Sequence, residues 1–175
     1  MNRRAGLVAG ASVAAGAAGL GAALWAGRQG RPGAGSADTD IRATPFQQPD
    51  GGQLLLADFA GRPLLLNFWA TWCPPCVTEL PLLDRFHRDQ PARGWRVVGL
   101  AVDQRQPVIE FLRQHPVHFP IGLAGLEGVG WSRRLGNTTG ALPFTVLFNR
   151  DGVAFDRRIG AIHTEDLSEW VKQGG

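Results

Sequence analysis

Phe68-Trp69-Ala70-Thr71-Trp72-Cys73-Pro74-Pro75-Cys76 is the stretch from which the rest of this chain can be read. It holds both cysteines of the protein, two residues apart. Before it runs Leu64-Leu65-Leu66-Asn67-Phe68, an apolar segment of strand length. After it, Val77-Thr78-Glu79-Leu80-Pro81-Leu82-Leu83-Asp84-Arg85-Phe86 carries apolar residues at helical spacing. The pair therefore lies where a strand gives way to a helix, with the cysteines opening the helix.

That position has chemical consequences. The first turn of a helix presents N–H groups without intrahelical partners and sits at the positive end of the dipole. A thiolate placed there is stabilised and becomes a usable nucleophile near neutral pH. Pro74 suits the first helical position. Because Pro74 and Pro75 both lack an N–H, the nearest amide able to reach the Cys73 sulfur is that of Cys76. A two-residue spacer also lets the sulfurs form a readily reduced disulfide of the kind used in exchange. A structural disulfide closing so small a loop would stabilise little. A zinc site normally needs four ligands, and His87, His115, His118 and His163 show no ligand spacing. A redox dithiol is the chemistry these residues fit, and it requires neither metal nor cofactor.

The composition bounds the rest. A chain of 175 residues, 44% hydrophobic, suits one domain and a short extra segment. Two cysteines exclude a disulfide-rich scaffold. The net charge of +3 is unevenly placed. Arg3, Arg4, Arg28 and Arg31 are the only charges before Asp38, which leaves 14 basic against 15 acidic residues in the remainder. No basic stripe marks a nucleic-acid surface, and no nucleic-acid partner is expected.

Ala5 to Ala26 is an uncharged run of Ala, Gly, Leu and Val with one Ser and one Trp. Its 22 residues are enough to cross a bilayer as a helix. Arg3 and Arg4 precede it, as in a signal peptide or signal anchor, and Trp25 falls near its exit. Residues 1–26 are read as that segment, with the uncleaved anchor preferred. Residues 27–40, rich in Gly, Arg and Pro, read as a flexible linker, and residues 41–175 as the folded domain.

Within the domain, Phe46 and Gln53–Leu56 suggest a hairpin turning at Pro49-Asp50-Gly51-Gly52. The Leu64–Phe68 strand and the cysteine helix follow, the helix reaching about Gln90 with a kink at Pro81. Val97–Val102 reads as a second buried strand, Gln106–Gln114 as a helix and Leu126–Leu135 as a weaker one. Phe144–Phe148 and Val153–Ile159 form an antiparallel pair about the Asn149-Arg150-Asp151-Gly152 turn. A last helix, Glu165–Lys172, has Thr164 as its expected N-cap. This order predicts an α/β fold with a central mixed sheet flanked by helices and an N-terminal β-hairpin extension.

Trp72-Cys73-Pro74-Pro75-Cys76 resembles the active site of a thioredoxin-fold oxidoreductase. With Asn67-Phe68-Trp69-Ala70-Thr71 before it and Glu79-Leu80-Pro81 after it, the chain is similar to the TlpA-like family of membrane-anchored, exported thiol-disulfide oxidoreductases. That branch includes the thioredoxins of bacterial cytochrome c maturation. The resemblance extends through Val98–Asp103, Gly140-Ala141-Leu142-Pro143-Phe144-Thr145 and Asn149–Gly152, covering about Phe46 to Val171. It implies a thioredoxin fold and a protein disulfide reductase in the periplasm, with a single anchor in the bacterial inner membrane. It further implies disulfide-containing exported proteins as substrates and a membrane electron donor. Cys73 would attack the substrate disulfide, exposed and with a depressed pKa, and buried Cys76 would resolve the mixed disulfide. Leu142-Pro143 matches the family's cis-proline loop, which with Trp72 would bind substrate. Phe144 departs from the pattern, since cytochrome c maturation members often carry an acid there.

Glu79 enters on other grounds. It lies three residues after Cys76, so the two share a helix face, and Asn67 on the preceding strand cannot titrate. It is the expected proton acceptor for Cys76. Two other readings stay open: a thiol peroxidase of peroxiredoxin type, and a copper metallochaperone using the cysteine pair with His163.

With Arg3 and Arg4 cytoplasmic, a helix over Ala5–Ala26 would leave residues 41–175 outside the cytoplasm, although Arg28 and Arg31 oppose that orientation by charge count. An alkaline phosphatase fusion at Gly175 should therefore be active. An inactive fusion, with a cytoplasmic reporter active in its place, would reverse the topology.

Overall fold

The computed structural model describes residues 35–90 and 94–174. The apolar run Ala5–Ala26 lies outside them, and among the described residues no helix is long and apolar enough to cross a membrane. Seven strands form one sheet: β1 (Pro45–Gln47), β2 (Gln53–Leu55), β3 (Leu64–Trp69), β4 (Arg96–Ala101), β5 (Ile121–Leu123), β6 (Phe144–Phe148) and β7 (Ala154–Ile159). Among the described residues, five α-helices and one 3-10 turn (Leu56–Phe59) accompany them: α1 (Ser36–Ala43), α2 (Pro74–Asp89), α3 (Arg105–Gln114), α4 (Gly128–Arg134) and α5 (Thr164–Gly174).

The strand order is β2-β1-β5-β4-β3-β6-β7. β3 lies inside the sheet, parallel to β4 from Leu64↔Arg96 to Trp69↔Ala101 and antiparallel to β6 from Leu64↔Phe148 to Phe68↔Phe144. All six of its residues are buried, as a strand covered on both faces requires. Successive side chains point to opposite faces, so the two cores separate by parity. Leu65, Trp69, Val97, Ala101 and Leu147 face Cys76, Leu80 and Leu83 of α2 and Leu167 and Trp170 of α5. Leu64, Leu66, Phe68, Val98 and Leu100 face Ile41 of α1 and Leu135 beyond α4. Asn67 shares the parity of Leu65 and Trp69, which puts a polar side chain on the α2 face. The expected hairpin is present as β1–β2 and joins the sheet through Gln47↔Leu123.

Two local expectations change. Residues 36–40, which the composition places in the linker, belong to α1. Ile41 anchors that helix by complete burial, and buried Asp38 accepts a hydrogen bond from the Ala154 N–H at 3.2 Å. α5 begins at Thr164 itself, and the capping falls one residue earlier. The His163 carbonyl accepts from the Leu167 N–H at 3.3 Å, and the His163 N–H donates to Asp166 Oδ2 at 2.8 Å, the reach-back half of a capping box.

Gly99 of β4 lets three side chains converge under α2. A Cβ there would lie 2.7 Å from Ile121 Cδ1 and 3.0 Å from both Phe119 Cε2 and Trp69 Nε1. Gly99→Ala should lower the unfolding free energy in urea by about 1–3 kcal/mol through overpacking. An unchanged midpoint would show that the three neighbours yield freely.

Candidate active site

β3 delivers the chain to the cysteines and α2 carries it away. Cys73 is the N-cap of α2, in extended conformation (φ −102°, ψ 100°), and the Cys76 N–H donates to its Sγ at 3.4 Å. With prolines filling the two intervening positions, this is the amide of the first turn that reaches the sulfur. The Cys73 and Cys76 sulfurs are joined in a disulfide, with the Cα atoms 5.3 Å apart. Cys73 is 5% exposed and Cys76 0%. Both sulfurs are buried in this disulfide form, so Cys73 is less open than expected. In the disulfide form its side chain packs within the core cluster beneath α2, while the neighbouring Trp72 stands out at 64% exposure.

The turn between β3 and α2 is pinned by Asp103, just after β4. Its Oδ2 accepts from the Thr71 N–H at 3.1 Å and from the Thr71 hydroxyl at 2.6 Å, and its Oδ1 accepts from the Gln104 N–H at 2.7 Å. The Val102 N–H donates to the Trp69 carbonyl at 2.8 Å, holding the two strand ends together. An acid directly after a buried strand was the available signal in the sequence, but its target could not be read there.

Glu79 is 3% exposed, on the inward face of α2 that also carries Cys76. Its Oε1 accepts from Asn67 Nδ2 at 2.8 Å and its Oε2 from the Ile162 N–H at 2.8 Å. Asn67 Nδ2 also donates to Thr145 Oγ1 at 3.1 Å, across the Asn67↔Thr145 register pair. The structure thus links Glu79 to the strand before the cysteines and to the connection between β7 and α5. Burial is the dominant influence on this carboxyl and pushes its pKa up to about 7, against the opposing pull of the Ile162 N–H, the Asn67 amide and the charge on His163. A cavity of ≈ 390 Å³ lies beside it, between Pro75 and Thr78 of α2 and Ala161 and His163 of the connection.

The Leu142–Pro143 peptide is cis. It precedes β6, whose first residue pairs with Phe68 near the end of β3, so it lies at the same end of the sheet as the cysteines. The Pro143 carbonyl accepts from the Gly160 N–H at 2.8 Å. The Leu142 N–H and carbonyl find no protein partner among the described residues, and its half-buried side chain packs against the cluster that contains both cysteines.

The buried carboxyl sets the sign of one pH effect on the oxidised protein, in which the cysteines do not titrate. Below about pH 4.5 Glu79 is neutral folded or unfolded. Between its ordinary pKa of 4.5 and its native value of about 7 it ionises more readily in the unfolded chain. Stability from this group is therefore present at low pH and falls as pH rises, by up to about 3 kcal/mol. The stability of Glu79→Gln relative to the wild type should climb by that order between pH 4 and 8 in parallel urea titrations. A pH-independent difference would place the carboxyl's pKa at its ordinary value.

Comparison with known proteins agrees with this geometry. A profile of the Redoxin family matches residues 35–173. The chain is 27% identical over 126 residues to the thiol-disulfide oxidoreductase ResA of Bacillus cereus, covering 71% of this chain and 70% of the relative. It is 28% identical over 149 residues to the sporulation thiol-disulfide oxidoreductase A of Bacillus subtilis, covering 81% and 88%. In fold it is similar to a thioredoxin family thiol:disulfide interchange protein from Chlorobium tepidum, with a TM-score of 0.68, 23% identity and coverage of 77% and 94%. The matched span includes the cysteine pair, Glu79 and the cis-proline loop, and the chain belongs to the Redoxin family as a TlpA-like, thioredoxin-fold thiol-disulfide oxidoreductase.

Proposed function

We propose that this oxidoreductase is a disulfide reductase of exported proteins, anchored by its N-terminal segment in the bacterial inner membrane with its domain outside the cytoplasm. The observation that carries the mechanism is the buried Glu79 carboxyl on the Cys76 face of α2. Reductive direction, anchor, membrane electron donor and a place in cytochrome c maturation are supported by the resemblance to the TlpA-like family.

In the reduced protein, the Cys73 thiolate is stabilised by the Cys76 N–H and the first turn of α2. It attacks one sulfur of the substrate disulfide. A Cys73–substrate S–S bond forms, the substrate S–S bond breaks, and the leaving thiolate takes a proton from water. Cys76 must then lose its proton, which burial opposes. Glu79, with a pKa near neutrality, accepts it directly or through a water in the adjoining cavity. The Cys76 thiolate attacks Cys73 Sγ, closes the enzyme disulfide and expels the second substrate thiolate. Two electrons have passed from the dithiol to the substrate, and a dithiol donor at the membrane restores them. Because a charged Glu79 opposes a charged Cys76, the two titrate as a coupled pair. Trp72 offers the substrate an exposed apolar face, and the unpaired Leu142 peptide offers it a main-chain partner.

The equilibrium potential of the pair in glutathione buffer tests the direction. A potential well below that of the glutathione pool supports a reductant, and one well above it makes the protein an oxidant. Cys76→Ser should accumulate mixed disulfides through Cys73, whereas Cys73→Ser should not. Equal trapping by both variants would overturn the division of labour. Stopped-flow release of substrate from the mixed disulfide should accelerate as pH rises through about 7. Glu79→Gln should slow that step by roughly 10²–10⁴-fold and remove this rise. Unchanged release and pH profile would reduce Glu79 to a structural group.

A further inference from the structure

The loop that leads into Leu142–Pro143 is organised by one buried side chain. Asn137, just beyond α4, is 0% exposed. Its Oδ1 accepts from the Gly140 N–H at 2.9 Å and from the Thr139 hydroxyl at 3.1 Å. Its Nδ2 donates to the Ala141 carbonyl at 2.8 Å and to Ser132 Oγ at 3.4 Å. Its own N–H donates to the Ser132 carbonyl at 2.9 Å, which ties the side chain to α4. Thr139 completes the ring by accepting from the Ala141 N–H at 3.2 Å. Gly140 takes φ +75°, and Arg133 Nε and Nη2 lie 3.3 Å from where its Cβ would stand, so this turn suits glycine on both counts.

The hydrogen-bond accounting is selective. Both main-chain polar groups of Ala141 are consumed inside the loop, one directly by Asn137 and one by the Thr139 hydroxyl that Asn137 holds. Pro143 has no N–H, and its carbonyl is consumed by Gly160. Between them Leu142 alone keeps a free N–H and a free carbonyl among the described residues. A loop without Asn137 would have the Ala141 carbonyl and the Gly140 N–H seeking partners beside Leu142, and the Leu142 peptide would lose its fixed orientation.

We propose that Asn137 is a positioning residue for substrate. It holds the 137–141 loop so that the Leu142 N–H and carbonyl are presented, already oriented, to the main chain of an extended polypeptide disulfide. The inference rests on the reading that substrate docks at Leu142.

The test compares three oxidants of the reduced enzyme: a disulfide-bridged unstructured peptide, the same peptide N-methylated at the main-chain nitrogens flanking its cysteine, and hydroxyethyl disulfide. In the wild type, N-methylation should raise KM, because it removes the donor that would meet Leu142. Asn137→Ala should raise KM for the unmodified peptide roughly tenfold, the scale of one lost hydrogen bond together with its orientation. It should blunt the effect of N-methylation and leave the rate with hydroxyethyl disulfide within about twofold of wild type. Equal losses on peptide and small disulfide would make Asn137 a structural residue and overturn the proposal, as would unchanged KM for the peptide. A wild type indifferent to N-methylation would overturn the docking at Leu142 itself. If N-methylation acts in the wild type and acts equally in Asn137→Ala, only the role of Asn137 falls. Should Asn137→Ala not fold, Thr139→Val, at an exposed position, frees the Ala141 N–H without a cavity. It should give the same peptide-selective loss at roughly threefold, with Thr139→Ser restoring wild-type behaviour.

Discussion

One buried carboxyl ties the cysteine helix to the central strand and to the segment that leads into the last helix. Glu79 belongs to α2, yet its two oxygens are held by β3 through Asn67 and by the β7–α5 connection through Ile162. A carboxyl placed among apolar side chains is costly to ionise unless hydrogen bonds offset the lost solvation. Two donors offset part of that cost, and the value of about 7 records what is left. The balance suits the proposed role of Glu79 as proton acceptor for Cys76. A fully compensated carboxylate would be too weak a base to take a thiol proton, and an uncompensated one would remain protonated through the physiological range.

The same logic of satisfied and unsatisfied groups shapes the other side of the cysteines. Most of the polar main chain at this end of the sheet is spent internally. Asp103 takes the Thr71 N–H, Trp69 pairs with Val102, and the Ala141 and Pro143 carbonyls are taken by Asn137 and Gly160. Against that background, Leu142 stands out by an N–H and a carbonyl that find no protein partner among the described residues. A polar group flanked by paired neighbours is oriented before any partner arrives, so binding does not have to order it.

The order of elements was legible from the sequence because the buried strands are continuous apolar runs bounded by turn residues. Leu64–Phe68 and Phe144–Phe148 needed little more than their composition. The cysteine helix was legible from its spacing and from Pro74 at its first position. The start of the domain was not. α1 is short, and its composition of Ser, Asp and Thr is that of a linker. It becomes a helix because Ile41 finds the second core and Asp38 finds Ala154 across 116 residues of sequence. The capping of α5 was misplaced by one residue for a related reason. Thr164 has the better capping side chain, but its hydroxyl has no place in the cap, whose reach-back runs from Asp166 to the His163 N–H.

The site itself divides along the same line. The juxtaposition of Cys73, Cys76 and Glu79 was readable because it is local, successive positions three residues apart at the start of one helix, and helical geometry puts Cys76 and Glu79 on a shared face. The hydrogen bonds that hold the site were not, because each acts across the fold: to Glu79 from Asn67 on the preceding strand and from Ile162, 83 residues away, and to Thr71 from Asp103, 32 residues further on. Asn137 shows the limit most clearly. Gly136-Asn137-Thr138-Thr139-Gly140 has the composition of an ordinary loop, and nothing in it separates a solvated turn from one folded around a buried amide. Only the pairing of β6 with β3 brings the Leu142–Pro143 peptide to the cysteine end of the sheet, and only the pairing of Ala141 leaves Leu142 as the neighbour with free main-chain groups. Chemistry that depends on neighbours in sequence can be read from residue types, whereas the presentation of a main-chain group depends on which of its neighbours are already paired, which the fold alone determines.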